Sequence, residues 1–198
     1  MSAAPDLYGR GPYTVEDLDL LPEEGKRFEL VHGWLISLSP SVRHDECAQV
    51  LRELIARSVR SAGAEHLVVR GPWDLMMPGR NIYVPDIAVF SRAALVAAYQ
   101  EDRRAVDAAD VALVVEIVRP GSGSEKTVRQ VKRVDYATAG VPSYWIVDLE
   151  PEPRVTLLEA VGGGGYSEVS VAVAGTTLHT ERPVPISFDP GVLLLTSE

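Results

Sequence analysis

The stretch Leu113-Val114-Val115-Glu116-Ile117-Val118-Arg119-Pro120 decides how this chain is read. Five of its first six residues are aliphatic and do not alternate with polar ones, the pattern of a central strand covered on both faces. Yet the run carries one carboxylate, Glu116. Burying an ionised carboxylate without a partner costs several kcal/mol, so Glu116 must be paired, protonated or bound to a cation.

Outward from this strand, the flanking segments supply helices and further strands. Downstream, residues 124–140 read as a long helix with Val131 and Val134 toward the core and Gly140 at its end, and residues 143–148 as another strand. Upstream, residues 66–70, 73–77 and 82–90 read as strands and residues 92–100 as a helix. Before them, Cys47, Val50, Leu51, Leu54, Ile55 and Val59 form one apolar stripe on a helix that starts at Ser41 and ends near Gly63. Two short strands, residues 27–31 and 34–38, flank His32-Gly33 as a tight hairpin, and Thr14 to Asp17 spells a capping box for a short helix ending before Pro22. Past residue 148 the chain turns β-rich, with a glycine loop at residues 162–165. An α/β core with added β-hairpins is the economical description.

Composition narrows the function classes. At 198 residues and 46% hydrophobic the chain can bury one ordinary core, and its prolines and glycines are dispersed rather than gathered into a linker. One domain over residues 1–198 is expected, with an N-terminal helix and hairpin (14–38), a core (41–148) and a β-rich extension (154–195). No apolar run approaches the roughly 20 residues that cross a bilayer, and no basic-then-apolar leader opens the chain, so a soluble, cytoplasmic protein with no membrane partner is expected. The single cysteine, Cys47, excludes an internal disulfide framework and a cysteine-based zinc site. The net charge of -9 repels nucleic acid at long range, so any role there needs a local basic patch. One exists: residues 119–133 hold Arg119, Lys126, Arg129, Lys132 and Arg133 against the single acid Glu125.

A second acid stands in a comparable position. Asp86 follows Pro85 within the apolar run 83–90, and if the two strands are neighbours its oxygens converge with those of Glu116. Mg²⁺ suits such a pair, since it takes oxygen ligands, keeps waters and binds through one or two carboxylates plus substrate phosphate. On spacing alone the alternative stands: Asp86 caps a turn and Glu116 makes a buried salt bridge to Arg70 or Lys132. Two acids are too few to choose between these.

Several segments together carry more. Arg27-Phe-Glu-Leu-Val-His-Gly33, Ser39-Pro-Ser-Val-Arg-His44, Val84-Pro-Asp-Ile-Ala-Val89, the 113–122 stretch, Lys132 with Tyr136, and Ala139-Gly-Val-Pro-Ser-Tyr-Trp-Ile-Val-Asp148 resemble, in order and spacing, the Uma-type restriction endonucleases of the PD-(D/E)XK nuclease superfamily. The resemblance runs from about Tyr13 to the tail at residues 182–190. It implies a restriction-endonuclease-like core, a central mixed sheet flanked by helices. It makes Asp86 and Glu116 the two acids, which with the Ile117 carbonyl would hold Mg²⁺ or Mn²⁺. The superfamily's lysine would stand at position 118, which here is valine, so the resemblance moves it to Lys132 on the following helix, one turn from Tyr136. An aspartate the family often has one turn before that lysine is Val128 here, and Arg119 replaces a common serine.

His44 and Glu29 match the family's histidine and hairpin acid, and with Tyr136 are accessory candidates. Arg119, Lys126 and Arg129 are the expected nucleic-acid contacts. The implied partner is nucleic acid, DNA before RNA, with a homodimer left open. The implied function is metal-dependent endonuclease. Val118, Val128 and the net charge favour its rival, a catalytically degenerate protein of the same fold that binds without cutting; a third class, a small-molecule-binding β-rich protein, would leave the acids structural.

Overall fold

The structure, a computed structural model, describes residues 11–26 and 28–194. The first helix, α1 (Val15–Asp19), opens on the expected box: Thr14 Oγ1 accepts from the Asp17 amide while Asp17 Oδ2 accepts from the Thr14 amide. Strands β1 (Phe28–Val31) and β2 (Trp34–Ser37) follow as a two-residue hairpin, with His32 and Gly33 both at positive φ, as a primed turn requires. Arg27, the first residue of the expected hairpin strand, lies outside the described residues. Next come α2 (Val42–Ser61), β3 (Leu67–Arg70), β4 (Leu75–Met77), β5 (Asn81–Tyr83), β6 (Ile87–Ser91) and α3 (Arg92–Gln100). The short β7 (Val106–Asp107) leads into β8 (Val111–Val118), the strand of Glu116. After it run α4 (Gly123–Lys126), a π turn (Thr127–Lys132), α5 (Arg133–Thr138), β9 (Ser143–Asp148), the hairpin β10 (Arg154–Val161) and β11 (Gly165–Val173), and the pair β12 (Leu178–Thr180) and β13 (Ile186–Phe188).

β8 lies inside a six-stranded mixed sheet ordered β11-β10-β9-β8-β6-β3, antiparallel to β6 and parallel to β9. Its alternate residues enter two separate cores. Leu113, Val115 and Ile117 pack with Cys47, Leu51 and Ile55 of α2, whereas Val114 and Val118 pack with Val128, Tyr136 and Tyr144 on the opposite face. A strand buried on both sides has no use for alternation, which is why its sequence is apolar throughout. A second, five-stranded sheet, β2-β1-β5-β4-β7, stands beside the first and brings Glu29 from β1. Among the described residues no helix is long and apolar enough to cross a membrane.

Two expectations need correction. Residues 82–90 are not one strand: β5 belongs to the five-stranded sheet and β6 to the six-stranded one, and Val84-Pro85-Asp86 crosses between them. Pro85 has no N–H to give a ladder, and the Val84 N–H is taken by a side chain, Glu29 Oε1 at 2.7 Å. The helix over 124–140 is interrupted by the π turn, and Val134 is 57% exposed instead of facing the core. The buried positions of this segment, Val128, Lys132 and Tyr136, recur every four residues, and the lysine points inward with them.

Candidate active site

Glu116 meets its partners on one oxygen. Lys132 Nζ donates to Oε1 at 2.8 Å and Tyr136 OH donates to the same atom at 2.9 Å. The ammonium is shared, because it also donates to Glu29 Oε1 at 2.7 Å, and it lies 5.6 Å from the centre of the Tyr83 ring. Glu29, Glu116 and Lys132 are all buried, so one cation serves two carboxylates out of contact with bulk water. Burial pushes the Glu116 carboxyl up to about 7; Lys132 pulls it down, but Glu29 and Asp86 add to the rise. Burial works against the charged ammonium of Lys132, yet the two carboxylates outweigh it and hold the lysine protonated.

Asp86 occupies the start of β6, one residue ahead of the Ile87–Val115 pair, beside Glu116 of the neighbouring strand. Its Oδ2 accepts from the Ile117 amide at 2.7 Å and faces His44 Nε2 at 3.2 Å. His44 stands in the first turn of α2, placed by the Ser41 cap, whose Oγ accepts the His44 amide. Burial lowers the His44 basicity, but the Asp86 carboxylate, with Asp45 beside it, more than reverses this and favours the imidazolium. Asp86 and His44 keep 17% and 22% of their side-chain surfaces exposed, which makes them the open side of an otherwise buried group.

The two acids therefore bracket the Glu116–Ile117 peptide. Among the described residues every hydrogen bond to Glu116 goes to Oε1 and every one to Asp86 goes to Oδ2. A strand residue's N–H and C=O point to the same edge, so the Ile117 carbonyl shares the edge of its amide, next to Asp86 and opposite Pro85, which has no N–H to offer. Two carboxylates and a carbonyl are hard oxygen donors, suited to Mg²⁺ or Mn²⁺ and too few to displace all of the ion's waters. No group of three or more His, Cys, Asp or Glu side chains able to hold a metal occurs among the described residues.

The expected phosphate contacts fare unevenly. Arg119 and Lys126 are exposed, Arg119 directly after the strand of Glu116 and Lys126 on α4. Arg129 is committed: its Nε donates to Glu125 Oε1 at 3.0 Å and its Nη2 pairs with Asp148 Oδ1. Arg133 donates to the Tyr166 carbonyl at 3.0 Å, and Lys132 is buried. Much of the basic cluster seen in the sequence is thus spent inside the protein.

Sequence reasoning passed over three features. Asp148 ends the apolar strand β9, next to Val118 in register, and was findable by the same sign that exposed Glu116, a lone acid on a buried strand. A chain from Tyr83 OH through Asp135 Oδ2 to His32 Nε2, the last contact 2.8 Å, runs beside Lys132, and its members lie too far apart in sequence to be matched. Gly71 packs against the main chain of Asp86. Two cavities, of about 550 Å³ around Tyr13, His32 and Asn81 and about 430 Å³ around Arg129, Glu150 and Arg154, are lined by neither Asp86 nor Glu116. Glu116 is buried on an interior strand of the sheet, and Asp86, just ahead of the neighbouring strand, keeps part of its side chain exposed.

The chain is similar to known proteins in family and in fold. The Uma2 family model, described as "Putative restriction endonuclease", matches residues 15–195. No curated protein matches. Five chains of solved structures do, among them "a putative nuclease belonging to DUF820" from Anabaena variabilis. It is 18% identical and superposes with a TM-score of 0.66 over 92% of this chain and 97% of its own. At that identity the likeness shows the fold, which is restriction-endonuclease-like.

Proposed function

The chain belongs to the Uma2 restriction-endonuclease family, and from that premise we propose that it is a divalent-metal-dependent endonuclease acting on DNA. One observation carries the reading: Asp86 and Glu116 flank a single peptide, each with one oxygen held by protein donors and the other left over. Asp86, Glu116 and the Ile117 carbonyl would hold the ion. Mg²⁺ or Mn²⁺ bound there would supply a water acidified toward hydroxide and a positive charge against the phosphate.

The remaining work falls to the chain's own residues. Lys132 and Tyr136 fix Glu116 Oε1 and thereby aim Oε2, and the amide of Ile117 does the same for Asp86. Lys132 adds positive potential where charge builds up on the phosphate in the transition state, and burial magnifies that potential. Glu29 uses one oxygen to join the ammonium to the amide of Val84, and so holds the lysine and the Pro85-Asp86 segment at a fixed separation. His44 pairs its Nε2 with Asp86 Oδ2 and would help hold that carboxylate in place. Exposed Arg119 and Lys126 would meet the backbone of the nucleic acid.

A second reading, binding without cleavage, has its own support. Val118 is sealed in the core, Lys132 is saturated by two carboxylates, and Arg129 and Arg133 have intramolecular partners. The deciding experiment is cleavage of plasmid DNA, single-stranded DNA and RNA with Mg²⁺ or Mn²⁺ by wild type, Asp86→Asn and Glu116→Gln. The nuclease reading expects DNA cleavage by wild type that falls at least 100-fold in either folded variant. Wild type that binds DNA but leaves it intact with both ions would establish the second reading instead.

A further inference from the structure

Asp86 sits where a strand begins, a place where main chain is ordinarily free to drift, yet it is gripped from behind. β3 ends at Arg70, and Gly71 then passes directly over the start of β6. A Cβ on Gly71 would lie 1.9 Å from the Asp86 carbonyl oxygen, 2.9 Å from its carbon and 3.0 Å from Ile87 Cα. Those atoms are main chain and cannot swing aside as a side-chain tip would. The demand at Gly71 is for space, since the contact is between two backbones. Its carbonyl in turn accepts from Arg52 Nη1 at 2.7 Å. Arg52 lies on α2, the helix that also carries His44. One helix therefore holds Asp86 at both ends, the carboxylate through His44 and the main chain through Arg52 and Gly71.

We propose that Gly71 and Arg52 are positioning residues of the candidate active site, a backbone brace that fixes Asp86 against Glu116. Its meaning for catalysis rests on the metal-site reading, but the brace has a signature that needs no metal. The Ile117 amide is bonded to Asp86 Oδ2, so it reports any displacement of that carboxylate. Oxygen ligands must be placed closely for octahedral Mg²⁺ or Mn²⁺, so the same displacement weakens the ion.

The test measures amide exchange by NMR in chelator and Mn²⁺ affinity by calorimetry for wild type, Gly71→Ala, Arg52→Gln and Arg52→Lys. Leu178→Ala, in the core that α2 and Ile117 share but without a hydrogen bond to Asp86, Gly71 or Arg52, serves as a variant that lowers the melting temperature without removing a brace contact. Gly71→Ala and Arg52→Gln should each speed exchange of the Ile117 amide at least tenfold relative to amides of β10, and weaken Mn²⁺ binding at least tenfold. Arg52→Lys should recover part of both, whereas Leu178→Ala should speed Ile117 and β10 amides alike and leave Mn²⁺ affinity unchanged. Should Gly71→Ala fail to fold, Arg52→Gln decides. Unchanged Ile117 exchange in the folded variants would overturn the brace. Wild type that takes up no Mn²⁺, with Ile117 exchange still accelerated in the variants, would uphold the brace and overturn the metal reading alone.

Discussion

Arg129 and Lys132 leave the same helical segment three residues apart, and each meets two carboxylates, Glu125 and Asp148 in one case, Glu29 and Glu116 in the other. The arithmetic of charge is the same, but the solvent is not. Arg129 keeps 34% of its side chain in water, whereas Lys132 keeps 4%. Around Arg129 the surplus negative charge is screened by water at Glu125, which keeps 32% of its side chain exposed, although Asp148 keeps only 11%. Around Lys132 it stays in a desolvated space, where it raises the Glu116 carboxyl into the neutral range. The same composition gives a structural tie at the surface and a poised group inside. An added divalent cation would relieve the second more than the first.

The largest effect that could break this comparison comes from removing each cation. Lys132→Met leaves two buried carboxylates without their cation, Glu29 keeping only the Val84 amide and Glu116 only the Tyr136 hydroxyl, and should lower unfolding stability by about 3–5 kcal/mol in urea denaturation. Arg129→Ala strips an equivalent number of contacts where water reaches Glu125 freely and the buried Asp148 less so, and should cost less than Lys132→Met. A similar loss at both positions would mean that burial does not distinguish the clusters.

Proton linkage sharpens the contrast. The Glu116 carboxyl is raised from its usual 4.5 to about 7 in the folded protein. Between those values the folded chain keeps a proton that the unfolded chain has released, so this group's contribution to stability declines as pH rises through that window. Wild type measured against Glu116→Gln in chelator should lose roughly 1–3 kcal/mol of relative stability from pH 4.5 to 7. A difference independent of pH would show that Glu116 is ionised throughout and fully satisfied by Lys132.

The smallest effect belongs to the surface. Arg129→Ala should cost about 1 kcal/mol, and raising salt should reduce that cost, because the guanidinium is one-third exposed. Chemical denaturation at low and high ionic strength measures it. A loss of several kcal/mol that ignores salt would move Arg129 into the buried class.

The legibility of these features followed the range of the interaction behind them. The capping box, the hairpin at His32-Gly33, α2 and the doubly covered β8 were all readable because each depends on neighbours within a few residues. The break at Val84-Pro85-Asp86 was not, since the run 82–90 is apolar on both sides of it and only the pairing partners reveal two different sheets. The π turn was hidden likewise: Val134 fits an α-helical stripe, and the partners that Lys132 meets at its end, Glu29 and Glu116, lie 103 and 16 positions away. Glu29 as a bridge and Gly71 as a close contact depend on partners from other strands, and no local pattern announces them. The acids were found because a charge in an apolar strand is locally anomalous.

The central claim is that the leftover negative charge beside Lys132 is there to receive a divalent cation, and Mn²⁺ titration of wild type and Glu116→Gln, with melting in chelator and in Mn²⁺, tests it most directly. The account predicts one ion per chain for wild type and a higher melting temperature by mass action, about 2.7 kcal/mol of added stability at 100 times the dissociation constant. Glu116→Gln should melt no lower than wild type in chelator, because Lys132 retains Glu29, and should lose both the binding and the rise in melting temperature. Wild type indifferent to the ion, beside a variant strongly destabilised with or without it, would contradict the account and leave Glu116 a structural half of a buried salt bridge.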